Sequence, residues 1–294
     1  MSYRSALLRT VSSTIEPSAE RTSTLGRFPR ASVAALGKAG LLGLTVGAPL
    51  GGGGRGLTEA AEVVAEVSRA CPATGAVLRS HYAAVALIEA HGTPWVRRRI
   101  AAGHHLSTLA LTAGDGHPPG GTASPAGSTA TGIGDVVALR ARKRDVVGAG
   151  EADSYVWSAH PADGTGRPAL WLVPADAPGL FVPARPNGTG PRGSGASTVH
   201  ADPVLVPACA RLGRQDGAGD DVLSTVLDWL AALPAADSAT GAAATGTAVA
   251  RPTAAHPTAA HPTAAHPTAA HPTAAHPTAA GPAPAAPVAA DAAG

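Results

Sequence analysis

Six consecutive residues, Gly51-Gly52-Gly53-Gly54-Arg55-Gly56, satisfy the spacing G-x-G-x-x-G ahead of a helix-forming stretch, so dinucleotide binding is the first chemistry to weigh. That fingerprint works only where a buried strand feeds the loop and an acidic residue about twenty positions on holds a ribose hydroxyl. Here the loop follows LLGLTVGAPL, which reads as the end of a helix, and no acid lies near position 75. No lysine follows at P-loop spacing. The glycines are therefore expected to form an interhelical turn, and a nicotinamide-dependent oxidoreductase ranks last among the readings.

Histidines come next, because imidazoles serve both metal binding and acid–base work. His104 and His105 are sequential neighbours, so on a helix they point about a hundred degrees apart, and both are read as surface polar residues. His81 falls within a helical pattern and is read as a packed, hydrogen-bonded histidine. Ser194 in RGSG lacks the G-x-S-x-G elbow of a hydrolase nucleophile and is read as part of a turn. Cys71 and Cys209 lie far apart without metal-ligand spacing, so neither a disulfide framework nor a metal site is expected. The run Arg140-Ala141-Arg142-Lys143-Arg144 reads as a solvated strand or turn.

Elements that would position these groups follow from periodicity. Val33, Leu36, Leu41 and Leu42 form one apolar stripe, Ala60, Val63, Val64 and Val67 a second, and Leu78, Tyr82, Val85 and Ile88 a third. Residues 1 to 27 read as an opening helix with a turn, and Thr58 is the expected N-cap of the second stripe's helix. After Thr112 the sequence becomes rich in Gly, Pro, Ser and Thr. Short β-branched segments then follow, DVVAL, RDVVGAG, SYVWSA, ALWLVPA, GLFVPA and STVHADPVLVP, separated by turn residues. The predicted class is α+β: an all-α N-terminal domain, a small antiparallel β-barrel or sandwich, and a tail.

The chain has 294 residues and a formal net charge of only +2, which gives nucleic acid no broad basic surface. From about Pro234 it is almost entirely Ala, Thr, Pro, Gly and Ser with interspersed His, so the foldable part is expected to be roughly the first 230 residues. PTAAH repeats from Pro252 to His276, with a proline in every five residues that forbids a continuous helix, and the tail is expected to be a disordered spacer without a ligand. Without a membrane-length apolar stretch or secretory plan, a cytoplasmic protein with no membrane partner is expected.

Several landmarks recur in one order: Phe28-Pro29, Ala35-Leu36, Gly40-Leu41-Leu42-Gly43, Gly51-Gly52, Glu59, Arg69-Ala70-Cys71 and His81. Further on come Gly150, Ala152-Asp153 followed by SYVWSA, then LWLVPADAPGL, Arg192-Gly193-Ser194, VHADPVLVPA and Leu212-Gly213. Over about residues 12 to 230 the chain thereby resembles the acyl-CoA dehydrogenase family, first in its N-terminal helical domain and then in its middle β-domain.

The resemblance implies an FAD-containing oxidoreductase that removes an α-proton with a carboxylate while the β-hydrogen leaves as hydride to the flavin. It implies cofactor contacts at Leu109, Leu111 and Thr112. The family's base lies in a C-terminal helical bundle that this sequence is expected to lack, so no catalytic residue is assigned and a truncated enzyme is expected. The family's Thr-Glu-Pro loop is reduced to Thr112, and its aromatic-Ile-Thr-Asn contact aligns with Asp145-Val146-Val147-Gly148, so FAD binding is expected to be weakened or lost. Expected boundaries are a helical domain over 1–112, a loop over 113–134, the β-domain over 135–215, a leftover helix over 216–233 and the tail over 234–294. The expected partners are an acyl-CoA thioester and a homo-oligomer or a complete dehydrogenase subunit. The alternative is a non-catalytic subunit or binding module that pairs with a complete dehydrogenase.

Overall fold

The computed structural model describes residues 2–111, 128–162, 168–213 and 222–235, all within one compact unit, Met1–Thr245. Thr112, residues 113–127 of the expected loop and the PTAAH repeats lie outside the described residues.

The first helical run is interrupted rather than turned. Helices α1 (Tyr3–Thr10) and α2 (Glu16–Leu25) are joined by a π-helical turn, Val11–Ile15. Pro17 sits in the first turn of α2, and having no N–H it cannot extend the α-helical ladder through that point, which the wider π spacing absorbs. Ser18 Oγ, bonded to Thr14 O at 2.7 Å, satisfies a carbonyl there. Gly26 ends the run at φ 64°, a left-handed cap that glycine adopts without a Cβ penalty.

Helix α3 (Arg30–Lys38) buries Leu36, and the stripe then continues off the helix, because Leu41 and Leu42 lie in the turns that follow it and are buried all the same. Helix α4 (Leu57–Ala70) begins at Leu57, so Thr58 lies inside it and is not the cap. The first turn is closed instead by the Glu59 carboxylate, which accepts from Gly56 N at 3.1 Å. Pro72 opens helix α5 (Pro72–His91), a twenty-residue helix buried on most of its faces. Gly75 permits its close approach to α4: a Cβ there would stand 2.0 Å from Ser68 Oγ. Helix α6 (Pro94–Ala101) is N-capped by Thr93.

Among the described residues, eight strands form the second layer: β1 (Ser107–Ala110), β2 (Ser128–Ile133), β3 (Val136–Val146), β4 (Ser154–Pro161), β5 (Ala169–Pro174), β6 (Leu180–Phe181), β7 (Ser197–Pro207) and β8 (Arg211–Leu212). The hydrogen-bonded order is β6-β7-β3-β2-β4-β5-β8, with β1 added on β4. The α+β class stands as expected. Most ladders are antiparallel, but β1 and β2 both run parallel to β4, so the sheet is mixed, and its order does not close into a barrel. Residues 128–133, expected at the end of the loop, form β2, where alternating Thr129, Thr131 and Ile133 pair with β3. DVVAL and RDVVGAG, read as two segments, are one strand that runs through the basic cluster. Helix α7 (Val222–Ala232) packs on α5, and the two layers share one core that includes Tyr82, Leu87, Tyr155 and Trp157.

Candidate cofactor cleft

Strand β1 is the junction of the molecule. Thr108 Oγ1 donates to Val147 O at 2.6 Å, so its single proton is committed, and Ser80 Oγ must donate to Thr108 Oγ1 across their 2.7 Å contact. Ser80 Oγ in turn accepts from Leu109 N at 3.1 Å. A directed chain thus runs from the β1 backbone through a serine of α5 and a threonine of β1 to the residue after β3.

His81, one position on, completes the fixation. Its Nδ1 accepts from Ser107 N at 3.2 Å, which places the ring proton on Nε2, where it donates to Leu42 O at 3.0 Å. Burial pulls the imidazole down to about 4, so the ring is neutral at pH 7. The expectation of a packed, hydrogen-bonded His81 holds in both respects. Tyr82 OH donates to Leu41 O at 2.7 Å and anchors the same turn.

Around this junction lies a cleft of about 380 Å³, lined on α5 by Ala76, Arg79 and Ser80, by Leu109 on β1 and Leu111 just after it, and beyond β3 by Val147. That volume falls within the range of small-molecule sites. Arg144, Asp145 and Pro191 form its rim, and Leu230 and Ala235 close it from α7 and the residues after it. Arg79 donates to Leu233 O at 3.1 Å and to Leu230 O, satisfying carbonyls at the end of α7 that its own helix cannot reach. Burial lowers the guanidinium's pKa from its ordinary value without removing its charge at neutral pH.

Lys143 escaped the sequence reading. Its side chain is fully buried, and Nζ donates to Ser158 Oγ at 2.8 Å and to Leu111 O at 3.2 Å, 5.4 Å from the centre of the Trp157 ring. Ser158 Oγ also donates to Leu111 O at 2.8 Å, so the last described carbonyl before Thr112 is held by two donors. The signal was present: Val137 and Leu139 are buried and Lys143 shares their parity along β3, while Arg140, Arg142 and Arg144 on the other parity are exposed. Asp145, one residue before the end of the strand, has φ 53°, with Oδ1 accepting from Thr189 N at 2.7 Å and Thr189 Oγ1 at 3.0 Å.

The remaining candidates fall away from the cleft. Every amide from Gly51 to Gly56 is engaged: those of Gly53, Gly54 and Arg55 bond Gly43 O, Val46 O and Leu44 O, those of Gly51 and Gly52 bond Ala48 O and Gly47 O, and that of Gly56 bonds Glu59. No donors are left over for a pyrophosphate, and the loop is an interhelical turn. His104 is exposed as expected, but His105 is buried. The pair lies past the end of α6 in non-helical backbone, where neighbouring side chains point apart, and His105 Nε2 contacts Ser154 Oγ at 2.9 Å. Ser194 lies in a turn bonded to Gly148 N at 2.9 Å. Both cysteines are free, and no cluster of metal-ligating groups occurs among the described residues. No described helix is long and apolar enough to cross a membrane.

The profile of the acyl-CoA dehydrogenase N-terminal domain matches residues 2–104. A probable acyl-CoA dehydrogenase of Bacillus subtilis, YngJ, is 30% identical over 216 residues, covering 68% of this chain and 54% of that protein. The human mitochondrial short-chain specific acyl-CoA dehydrogenase is 28% identical over 225 residues, 74% of this chain and 53% of the relative. The chain therefore spans about half the length of these relatives. Among solved structures, KijD3 in complex with FMN and a dTDP-linked amino-keto sugar superposes with a TM-score of 0.65 at 25% identity, over 78% of this chain and 60% of that one. Profile, relatives and superposition agree with the landmarks that run from Phe28 to Gly213: the chain belongs to the acyl-CoA dehydrogenase family and carries its N-terminal helical and middle β-domains.

Proposed function

We propose that this chain is an FAD-binding flavoprotein of the acyl-CoA dehydrogenase type, with the isoalloxazine ring in the α5/β1/β3 cleft against Leu109 and Leu111; Thr112, which follows Leu111 in sequence, is the third contact that the family resemblance implies. The observation that carries this reading is the convergence of three elements on one slot: the end of β1, the turn after β3 and the middle of α5. The donor set suits such a group. Ala76, Leu109, Leu111, Val147 and Leu230 offer an apolar wall to a flat ring, and the guanidinium groups of Arg79 and Arg144 suit an anionic portion. When bound, the flavin supplies a hydride acceptor for the β-carbon of an acyl-CoA thioester.

The chain's own part is to position and exclude water. The Leu109–Ser80–Thr108–Val147 chain sets the spacing of the walls, and Lys143 with Ser158 holds the Leu111 carbonyl. Backbone groups that would otherwise reach a cofactor are already engaged: Val147 O accepts from Thr108 and Gly148 N donates to Ser194 O. Binding thus rests on shape and charge more than on hydrogen bonds, each of which contributes about 0.5–1.5 kcal/mol net.

One observation favours a second reading, a non-catalytic subunit that pairs with a complete dehydrogenase. Asp145 is the sole carboxylate among the described residues lining the cleft, and one of its oxygens accepts two bonds from Thr189. α-Proton abstraction would then depend on a base supplied from elsewhere. Titration of purified protein with FAD, followed by equilibrium dialysis and flavin absorbance, tests the first reading, with a Kd between about 1 μM and 1 mM expected. Failure to retain flavin alone, combined with retention when a complete dehydrogenase is co-expressed, selects the second. Failure in both settings rejects both.

A further inference from the structure

A second and larger cavity, of about 650 Å³, opens between α6 and the β4–β5 end of the sheet, away from the cofactor cleft. Three features mark it as built rather than incidental. Trp95 lines its mouth with an indole that is 63% exposed, the most exposed large apolar side chain among the described residues, and the Arg99 guanidinium lies 5.3 Å from the centre of that ring. At its floor His105 is only 7% exposed and spends Nε2 on Ser154 Oγ, while Nδ1 has no partner among the described residues. Two carboxylates, Asp153 and Asp176, also line it, with Leu172 adding an apolar side chain.

The arrangement does not suit nucleophilic chemistry, although a serine, a histidine and an aspartate are neighbours. Ser154 is 3% exposed, and Asp153 directs Oδ2 to Leu106 N at 2.7 Å instead of to the imidazole. It does not suit a simple anion, because two carboxylates share the space, nor a simple cation, because Arg99 already covers the indole. What it complements is a flat body with both kinds of polar group on its edge. An indole with a stacked guanidinium forms a shelf for a planar ring. The carboxylates accept from ring or exocyclic N–H groups, Arg99 presents donors to a carbonyl or ring nitrogen, and His105 Nδ1 donates or accepts according to its tautomer.

We propose that this cavity is a nucleobase-binding site, in which the base stacks on the Trp95–Arg99 shelf and presents its polar edge to His105 and the two aspartates. The base is that of a free nucleoside or nucleotide, or the adenine end of a larger cofactor. The site stands apart from the cofactor cleft, so its occupancy does not depend on the flavin reading.

The test is titration of the full chain with adenosine and with guanosine, read by tryptophan fluorescence and independently by equilibrium dialysis. Trp157 and Trp171 are buried and Trp229 is half-buried on α7, so the expected signal is quenching that the wild type shows and Trp95→Ala lacks. Binding is expected to saturate at a Kd of the order of 1 mM or tighter. Trp95→Ala changes an exposed side chain, leaves folding intact and is expected to weaken dialysis-measured binding about tenfold or more. Asp176→Asn and His105→Gln are expected to shift preference between the two nucleosides, which differ in edge pattern. Displacement of the nucleoside by FAD or CoA assigns the base to a cofactor's tail, and displacement by nucleotides alone assigns it to a free nucleotide. No saturable binding of either nucleoside up to about 10 mM, or equal affinity in Trp95→Ala, would overturn the proposal.

Discussion

Acidification should loosen this protein through one side chain. In the folded state the His81 ring donates at Nε2 to Leu42 O and accepts at Nδ1 from Ser107 N, and a second ring proton would exchange that bond for one to Ser107 O, also 3.2 Å away, while placing a charge in a fully buried site. Burial holds the imidazole at about 4 against an ordinary 6.5, and the folded chain therefore binds fewer protons than the unfolded chain between those values. The sign follows: the stabilising contribution is fully present above pH 6.5 and is lost as pH falls toward 4. With 1.36 kcal/mol for each pH unit, the interval from 6.5 to about 4 amounts to about 3 kcal/mol, a large share of a domain's usual stability. Urea denaturation at steps from pH 7.5 to pH 4.5 measures it, with His81→Gln as the reference. Glutamine offers an amide donor toward Leu42 O and a carbonyl toward Ser107 N but does not titrate. The wild type is expected to lose stability more steeply than the variant over this range. Parallel curves for the two proteins would refute the assignment of the acid sensitivity to His81. His105, whose pKa burial also lowers, titrates in both proteins and cancels in the comparison.

Three other expectations follow from the same contacts. Ser80→Ala orphans the Leu109 amide and removes the donor to Thr108, and should cost about 1–3 kcal/mol in urea melts, with faster hydrogen exchange at Leu109. An unchanged midpoint would count against the directed chain. Gly75→Ala drives a Cβ to 2.0 Å from Ser68 Oγ and 2.7 Å from Ser68 Cα, so it should destabilise by about 1–3 kcal/mol, and pairing it with Ser68→Gly should recover part of the loss. Arg79→Ala removes charge-assisted bonds to the last turn of α7, worth about 1.5–3 kcal/mol, and should raise hydrogen exchange across Val222–Ala232 while α4 stays protected.

Local pattern carried the helical layer. The stripes of α4 and α5 are buried where their periodicity placed them, and the burial of Leu41 and Leu42 survives even though α3 stops at Lys38. What escaped was decided at a distance. The parallel pairing of β1 with β4 joins Ser107 to Ser154 across 47 positions, and no residue in either strand announces its partner's direction. Thr58 had the chemistry of a cap, but the helix begins one residue earlier because Glu59 reaches back to Gly56. His105 was misplaced by assuming helical geometry beyond Ala101, and Lys143 by letting its charge outweigh its parity in the strand. Leu109 and Leu111 do come to a common cleft with residues of α5 and of the segment after β3. Only the family landmarks singled them out in advance, since nothing in LALT by itself distinguishes them from core.

One ring, His81, bolts together three stretches that are distant in sequence: α5, the turn at Leu42 and the start of β1. Helical layer and sheet consequently cannot slide past each other without snapping a bond inside the core. A gap framed by such a rivet keeps its width, in the manner of a machined slot, and does not breathe like a hinged jaw. On the flavin reading proposed above, such a slot selects its guest by thickness as well as by polar contact.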